Sequence, residues 1–216
     1  MRGRMSQWNP RIAAVFLMAV LVTLLHWTTP HAGKVSEVRI GNILPLTGPS
    51  ASAGRQNRSA IELATEYVNA AGGIKSLGGA RLVNAWADTR GEVAFGMSAV
   101  EHLIKNEKVS VISGAWNSAV TYPTTQAAEQ AKIPYVVPVS VRDTITDRGF
   151  KYVFRTAPKD GWRSRDQFRF LRDMTRSTRT KVETLALVFE NGGWGTSMKD
   201  QWTKLATSQG YRVVLV

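Results

Sequence analysis

Short runs rich in β-branched and apolar residues alternate along this chain with longer segments whose apolar residues recur at helical spacing. The predicted strands are 38–44, 81–87, 109–113, 134–137, 152–155, 184–189 and 211–216. The predicted helices lie between them, at about 55–71, 93–104, 118–131, 159–174 and 198–206. Strands that alternate with helices of this length form a parallel sheet with helices on both of its faces. The sequence therefore predicts an α/β fold.

The alternation restarts after Thr156 and divides the predicted elements into two groups. We predict a first lobe over residues 36–155 and the start of a second lobe over residues 156–216. The last predicted strand is apolar, and a βαβα unit that stops on such a strand leaves a hydrophobic edge without a partner. This reasoning predicts a complete first lobe and a partial second lobe.

Residues 1–33 have the pattern of a secretory signal. The positive charges at the start of this segment are Arg2, Arg4 and Arg11. The uncharged stretch 12–25 that follows is shorter than the roughly 20 residues a spanning helix needs. Cleavage after Ala32 places Pro30 where a small residue is expected, so an uncleaved N-terminal anchor remains the alternative. Both interpretations place the rest of the chain outside the cytoplasm, in the periplasm.

The residue types available limit the chemistry of the chain. It has no cysteine, which excludes disulfides, thiolate catalysis and a lipid anchor on cysteine. Of its three histidines only His102 follows the signal-like segment, so metal sites and catalytic triads that need histidine are not expected. Phosphate-binding, dinucleotide-binding and nucleophile-elbow motifs are missing from suitable places. We therefore expect no metal, no cofactor and no enzyme activity.

The net charge is +12, but most basic residues are scattered, which argues against a nucleic-acid partner. One stretch is denser in basic residues, and these are Arg155, Lys159, Arg163, Arg165, Arg169, Arg172, Arg176, Arg179 and Lys181. Asp160, Asp166 and Asp173 interrupt the stretch and lie three or four residues from basic residues. This pattern favours an ion-paired, solvated helix over a phosphate-binding surface.

Several short segments lie at the ends of predicted elements in a characteristic order. They are IGNILPLTGP at 40–49, NAAGGI at 69–74, LGG at 77–79, DTRG at 88–91, GAWNS at 114–118, AKIP at 131–134, TDRGF at 146–150 and FRT at 154–156. Together they resemble the type I periplasmic solute-binding proteins of branched-chain amino acid and amide ABC transporters, the leucine/isoleucine/valine-binding family. The resemblance covers nearly all of residues 36–216. It implies two lobes that close on a small solute, with no covalent chemistry.

Ligands of open α/β sheets bind beyond the carboxyl ends of the strands, where the loops 45–54, 114–118 and 138–142 are expected. Ser118 follows the third strand and begins a helix, whose free N–H groups and dipole attract a carboxylate. The alternative is that Ser118 only caps the helix. The resemblance implies that Ser118 binds the carboxylate of the ligand, with Asn117 and Trp116 beside it.

The loop 138–142 matches the loop that, in the family, holds the amino group of an amino acid. Val141 stands where the family often has a hydroxyl residue, and valine cannot form a hydrogen bond through its side chain. The carbonyl of Val139 and the hydroxyl of Ser140 are the remaining polar candidates. This departure favours another small carboxylate or an amide over an α-amino acid.

Three further residues, Ala53, Trp194 and Thr47, complete the predicted site. Ala53 stands where several relatives carry an aromatic residue, and Trp116 is a candidate to fill the space this leaves. Trp194 matches an aromatic position on the second lobe, and Thr47 lies in the first loop. Core packing is the alternative for both tryptophans.

Outside the site, the sequence predicts that Arg155 has a structural role and that Asp88 binds nearby backbone groups.

The predicted function is that of the extracytoplasmic substrate-binding component of an ABC importer. The solute would be an amino acid, an amide or a short carboxylate, the partner a membrane permease, and the protein a monomer. Three alternatives remain at this point: an enzyme on an α/β scaffold, a sensory ligand-binding domain of the same fold, and an inactive truncated copy that binds its solute weakly.

Overall fold

The computed structural model of the chain describes residues 35–215. The predicted signal or anchor at 1–33 lies outside the described residues, as does Val216. No helix within 35–215 is long and apolar enough to cross a membrane.

A five-stranded parallel sheet organises the first part of the chain. Its strands are β1 (Glu37–Leu44), β2 (Arg81–Asp88), β3 (Val111–Gly114), β4 (Tyr135–Val137) and β5 (Val153–Arg155), in the order β2-β1-β3-β4-β5. The chain moves outward from β1 to β2 on one side and continues through β3 on the other. Because all strands are parallel, their carboxyl ends share one edge. In such sheets ligands bind in the crevice beyond the carboxyl ends of the strands, at the point where the strand order reverses, which here is between β1 and β3.

Three helices connect these strands: α1 (Ala51–Ala70), α2 (Val93–Lys105) and α3 (Ser118–Gln130). Short 3-10 turns lie at Lys75–Leu77 and Asp143–Ile145. The buried core between sheet and helices includes Ile43, Leu103, Ile112, Val120 and Tyr135, each fully buried. The alternation of strands with helices of 13 to 20 residues thus produces the predicted parallel α/β architecture.

The face that α1 turns to the sheet differs from the prediction. We predicted an apolar face at Ile61, Ala64, Val68 and Ala71, but all of these except Ile61 are exposed. Polar side chains attach the helix instead. Asn69 donates from its side-chain amide to the carbonyl of Leu82 (2.9 Å) and accepts from the amide of the same residue (2.8 Å). Because hydrogen bonds as well as apolar contacts fix this helix, hydrophobic periodicity alone indicates the wrong face.

A second, two-stranded parallel sheet follows. It consists of β6 (Thr184–Ala186) and β7 (Arg212–Leu215), with helices α4 (Asp160–Thr178) and α5 (Gly193–Ser208). Phe168 on α4 is 1% exposed and packs edge-on against Trp202 of α5, with ring centroids 5.3 Å apart. This aromatic contact is the centre of the smaller core.

The prediction of a buried strand over 184–189 is wrong. The strand ends at Ala186, Thr184 and Ala186 are exposed, and Val188 is 95% exposed. Leu187 is the buried member of this stretch. The cause is the small size of the second sheet, whose strands each have one partner among the described residues, so an apolar sequence is insufficient to bury them.

The predicted ion pairs along α4 are also absent from the described residues. None of Arg163, Arg165, Arg169, Arg172 and Arg176 has a carboxylate oxygen within 4.0 Å. The pairs near the helix are Lys159–Asp147 before it and Lys181–Glu183 after it. Exposed pairs of this kind contribute only about 0–1 kcal/mol, so the side chains gain little by adopting the paired geometry. The arginines at 163, 165, 169 and 176 are exposed, as predicted.

Candidate functional site

A cavity of about 410 Å³ lies at the carboxyl edge of the first sheet, between the loops after β3 and β4 and the starts of α4 and α5. Its lining residues are Gly91, Trp116, Asn117, Ser118, Ala119, Val139, Ser140, Val141, Arg163, Glu190, Gly192, Gly193 and Trp194. A hollow of about 540 Å³ against Phe168 and Phe170 is larger, but its lining is almost wholly apolar. A ligand site needs a few well-placed polar groups to fix the orientation of the ligand. Of these two cavities, only the smaller one has them.

The amino terminus of α3 lies at this cavity and is not capped by a side chain. Asn117 is the N-cap residue and Ser118 the first helical residue, so the alternative of Ser118 as the cap is one position off. The Asn117 side chain makes no capping hydrogen bond, and its buried Oδ1 has no partner among the described residues. The first turn also contains no acidic residue.

The polar groups of this first turn are available to a ligand. The Ser118 hydroxyl and the backbone amides of Ser118 and Ala119 form no hydrogen bond within residues 35–215. Unsatisfied N–H groups at a helix start, together with the helix dipole, make an anion-binding position. Ser118 is 5% exposed, so an anion bound there would be largely shielded from water.

The loop that presents Trp116 is held in an unusual backbone conformation. Trp116 has φ +75°, in the left-handed region that a bulky residue rarely adopts. The Ser140 hydroxyl donates to the Trp116 carbonyl (2.9 Å) and lies 2.6 Å from Oγ1 of Thr121. This network keeps the loop in place. It also uses the one hydroxyl hydrogen of Ser140, which leaves Ser140 with a positioning role at the cavity wall.

The loop after β4 leaves one wall carbonyl open. Arg155 donates to the carbonyls of Ser140 (2.6 Å) and Arg142 (2.7 Å), which confirms its structural role. The carbonyl of Val141 accepts from the backbone amide of Asp160 (2.9 Å). The carbonyl of Val139 has no donor among the described residues, so it is the acceptor this loop offers to a ligand.

Thr47 and Ala53 do not line the cavity. The Thr47 hydroxyl donates to Oδ2 of Asp88 (2.5 Å), and Oδ1 of Asp88 accepts from the amides of Leu46 and Arg90 (2.8 Å each). Burial raises the pKa of Asp88, but these hydrogen bonds outweigh it, and the pKa lies below its usual value. The predicted role of Asp88 in binding nearby backbone groups is confirmed. Ala53 lies in the first turn of α1.

The opposite wall comes from the elements around the second sheet. Trp194 in the first turn of α5 is 37% exposed, and its indole Nε1–H donates to Oδ1 of Asp160 (3.2 Å). A Cβ added to Gly193 would lie 3.3 Å from Cβ of Ala119, so the starts of α3 and α5 approach closely. A Cβ at Gly195 would lie 2.0 Å from the carbonyl oxygen of Glu190, which requires glycine there and fixes the loop that carries Trp194.

Two charged residues in the lining are missing from the sequence-based prediction. From the sequence we placed Arg163 on a solvated helix face and assigned no role to Glu190. Arg163 lies one turn after Asp160 at the start of α4, and that start faces the cavity. Its position near a helix start was the one available signal. For Glu190, which lies after the second-sheet strand, the signal was a charged residue before a glycine-rich turn.

Comparison with known proteins identifies relatives of the whole described region. The model of the family described as "Periplasmic binding protein" matches residues 37–216. The "Leu/Ile/Val-binding protein homolog 3" of Brucella melitensis is 30% identical over 175 residues, covering 81% of this chain and 45% of the relative. Homolog 8 of Brucella suis is 30% identical over 194 residues, covering 87% and 46%. The chain thus spans about half the length of the curated relatives it matches.

Solved structures share the fold. A leucine-binding protein of Thermotoga maritima superposes with a TM-score of 0.71 at 24% identity, covering 83% of this chain and 48% of that protein. A solute-binding protein of an ABC transporter of Rhodopseudomonas palustris, solved with benzoate, superposes with a TM-score of 0.70 at 24% identity, covering 83% and 47%. At this identity the likeness establishes the fold and leaves the ligand to be argued from the site.

Proposed function

Because the chain belongs to the periplasmic binding protein family, we propose that it binds a small carboxylate-bearing solute in the cavity at the start of α3. Residues 36–155 and 156–216 supply the two walls as parts of two lobes. The protein acts as the extracytoplasmic substrate-binding component of an ABC importer. The observation that carries this proposal is the uncapped α3 terminus, whose amides and Ser118 hydroxyl lie at the cavity and have no hydrogen-bond partner in the described part of the chain.

The carboxylate of the solute occupies the α3 terminus. One oxygen accepts from the amides of the first turn, and the other accepts from the Ser118 hydroxyl. Hydrogen bonds to a charged acceptor are worth about 1.5–3 kcal/mol each. The dipole of α3 adds an attraction of roughly 0.3–1 kcal/mol.

The rest of the solute lies between Trp116 and Trp194, one from each wall. Aromatic walls bury an apolar body while leaving its polar end free to be oriented. A donor on the solute, such as an amino or amide N–H, can reach the open carbonyl of Val139. Leucine and benzoate each combine a carboxylate with an apolar body and so suit this lining. Structural neighbours have been solved with these two molecules, and a curated relative is named as a Leu/Ile/Val-binding protein homolog.

Binding without turnover fits the lining better than catalysis. A nucleophilic serine needs a base within hydrogen-bond reach to remove its proton. The Ser118 hydroxyl has no such partner among the described residues, and the cavity lining contains no histidine. We therefore propose a transport role, with the closed lobes docking as a monomer on a membrane permease in the periplasm.

The proposal is tested by measuring solute binding to the full chain. We expect leucine or benzoate to raise the melting temperature in a thermal-shift screen, since a ligand of the native state stabilises it. Calorimetry on any carboxylate that binds should show Ser118→Ala weakening it by about tenfold, the equivalent of one charge-assisted hydrogen bond. Ser98→Ala, at an exposed helical serine outside the cavity, is the matched control.

Unchanged affinity in Ser118→Ala would contradict the proposed site. Failure of the whole solute panel to bind would contradict the proposed function. If the purified chain chemically converted a bound solute, an enzymatic function would replace the proposed transport function.

A further inference from the structure

We propose that Asp160 is a positioning residue of the binding site, whose buried carboxylate fixes the Trp194 indole at the cavity wall. The inference rests on the proposed function, because it assigns a role at the same site. Asp160 does not line the cavity itself. It acts through the aromatic ring that does.

Asp160 connects the two walls of the cavity through two different groups. Its backbone amide donates to the carbonyl of Val141 (2.9 Å), in the loop after β4. Its side-chain Oδ1 accepts from the indole Nε1–H of Trp194 (3.2 Å), in the first turn of α5. One residue at the start of α4 therefore holds a lining loop of the first sheet and a lining ring of the second.

The carboxylate of Asp160 is in an environment that core packing alone does not explain. The residue is fully buried, and Oδ2 has no partner among the described residues. The Trp194 indole is the only hydrogen-bond donor found there for this carboxylate, and no cation lies within 4.0 Å. Burial raises the pKa of Asp160, and the charge of Asp143 adds to that shift, while the Trp194 hydrogen bond and the more distant charges of Arg163 and Arg155 oppose it. Burying a carboxylate is costly. Among the described residues, the Trp194 indole is the one direct hydrogen-bond donor that offsets this cost, so we assign the carboxylate to holding the indole.

The surroundings of Asp160 support a fixed geometry. Asp143, in the loop after β4, accepts from the amide of Gly161 (3.1 Å) and from the side-chain amide of Gln201 on α5 (3.2 Å). Asp143 thus joins the start of α4 and the middle of α5 beside Asp160. Because these hydrogen bonds fix its surroundings, the Trp194 ring keeps one orientation. The solute therefore does not have to immobilise this side chain on binding.

The test follows the indole N–H directly and needs no solute. In full-length protein labelled with ¹⁵N-tryptophan, the indole resonance that Trp194→Phe removes belongs to Trp194. We expect Asp160→Ala to shift that resonance and speed its hydrogen exchange. Asp160→Asn should keep both near wild type, because the amide oxygen can accept the same bond. Ser164→Ala is the control, since Ser164 is fully buried on the same helix and contacts Met198.

An unchanged Trp194 resonance in Asp160→Ala would overturn the inference, and so would an equal shift in Ser164→Ala. If Asp160→Ala does not fold, Asp160→Ser replaces it, being small and polar but too short to reach the indole. The same readings then apply to that variant.

A double-mutant cycle with benzoate as probe measures the effect on binding. Asp160→Ala should weaken benzoate about tenfold in the wild-type background and have little effect in Trp194→Phe. Equal losses in both backgrounds would contradict action through Trp194. If benzoate does not bind the wild-type chain, the proposed function fails for that probe, while the indole resonance still decides the role of Asp160.

Discussion

A negative charge placed in the first turn of α3 should stabilise the protein and weaken carboxylate binding at the same time. Ala119 is the second helical residue, is exposed, and lines the cavity. In Ala119→Asp the new carboxylate lies beside the unpaired amides that we assign to the solute. It therefore competes for the position that the solute carboxylate would occupy.

The two effects have separate magnitudes. An acidic side chain in the first turn of a helix that lacks one adds about 0.3–1 kcal/mol to the free energy of unfolding. Two carboxylates about 4 Å apart near a protein surface repel by up to roughly 4 kcal/mol, and solvent and salt reduce this. A net loss of about 1.4–2.8 kcal/mol in binding is expected, or roughly 10- to 100-fold in Kd.

Ala119→Asn is the matched control, because it has the same shape without the charge. It also shows whether a larger side chain at this position disturbs the close approach of Gly193. Urea denaturation measures stability, and calorimetry with benzoate measures affinity. If Ala119→Asp and Ala119→Asn bind benzoate equally well, the solute carboxylate does not occupy the start of α3 and the reasoning is refuted.

Two other predictions concern the framework of the site. Phe168→Ala should lower the free energy of unfolding by about 3–5 kcal/mol, because it removes a buried ring from between α4 and α5. The control is Phe170→Ala, at a residue that is 69% exposed, which should change the free energy of unfolding far less. Similar losses for the two variants in urea denaturation would contradict the assigned core. Asp88→Asn should destabilise the protein at pH 7, and this destabilisation should shrink as the pH falls below 3.8 towards the folded-state pKa. The folded-state pKa of Asp88 is lowered, so its contribution is present above the usual value of 3.8 and is lost as the pH falls through the folded value; a stability difference that is independent of pH would contradict this.

The strand and helix pattern could be predicted from the sequence because each element has its own periodicity. The predicted strand 81–87 differs from β2 by one residue, and the predicted helix 118–131 ends one residue beyond α3. Local features, a strand end followed by a helix start, made Ser118 a candidate for either capping or binding, and the family resemblance favoured binding. Such features survive folding because they depend on neighbours in the chain.

The remaining errors involve partners that are distant in the sequence. Thr47 lies in a loop at the expected edge, but its hydroxyl binds Asp88, 41 residues away. Arg163 and Glu190 reach the cavity only because α5 packs against α3 and α4 packs against α5. Sequence periodicity contains no information on that placement, so it could not distinguish a lining arginine from the solvated ones that follow it.

The apolar pattern also overstated burial in the second sheet. The stretch 184–189 is rich in apolar residues, yet Val188 is almost fully exposed. An apolar run predicts that a segment is suited to burial, but the layers that pack on it decide whether it is buried. The described second sheet has two strands, and its burial is correspondingly limited.

The central claim is that a carboxylate is bound by the start of α3. The most direct measurement is an NMR titration of the ¹⁵N-labelled full chain with benzoate, and with benzamide as its neutral counterpart, following the backbone amides of Ser118 and Ala119. We expect downfield shifts of both amides that saturate with benzoate and are much smaller with benzamide. Equal shifts with the two compounds, or benzoate binding that leaves these amides unmoved, would contradict this claim.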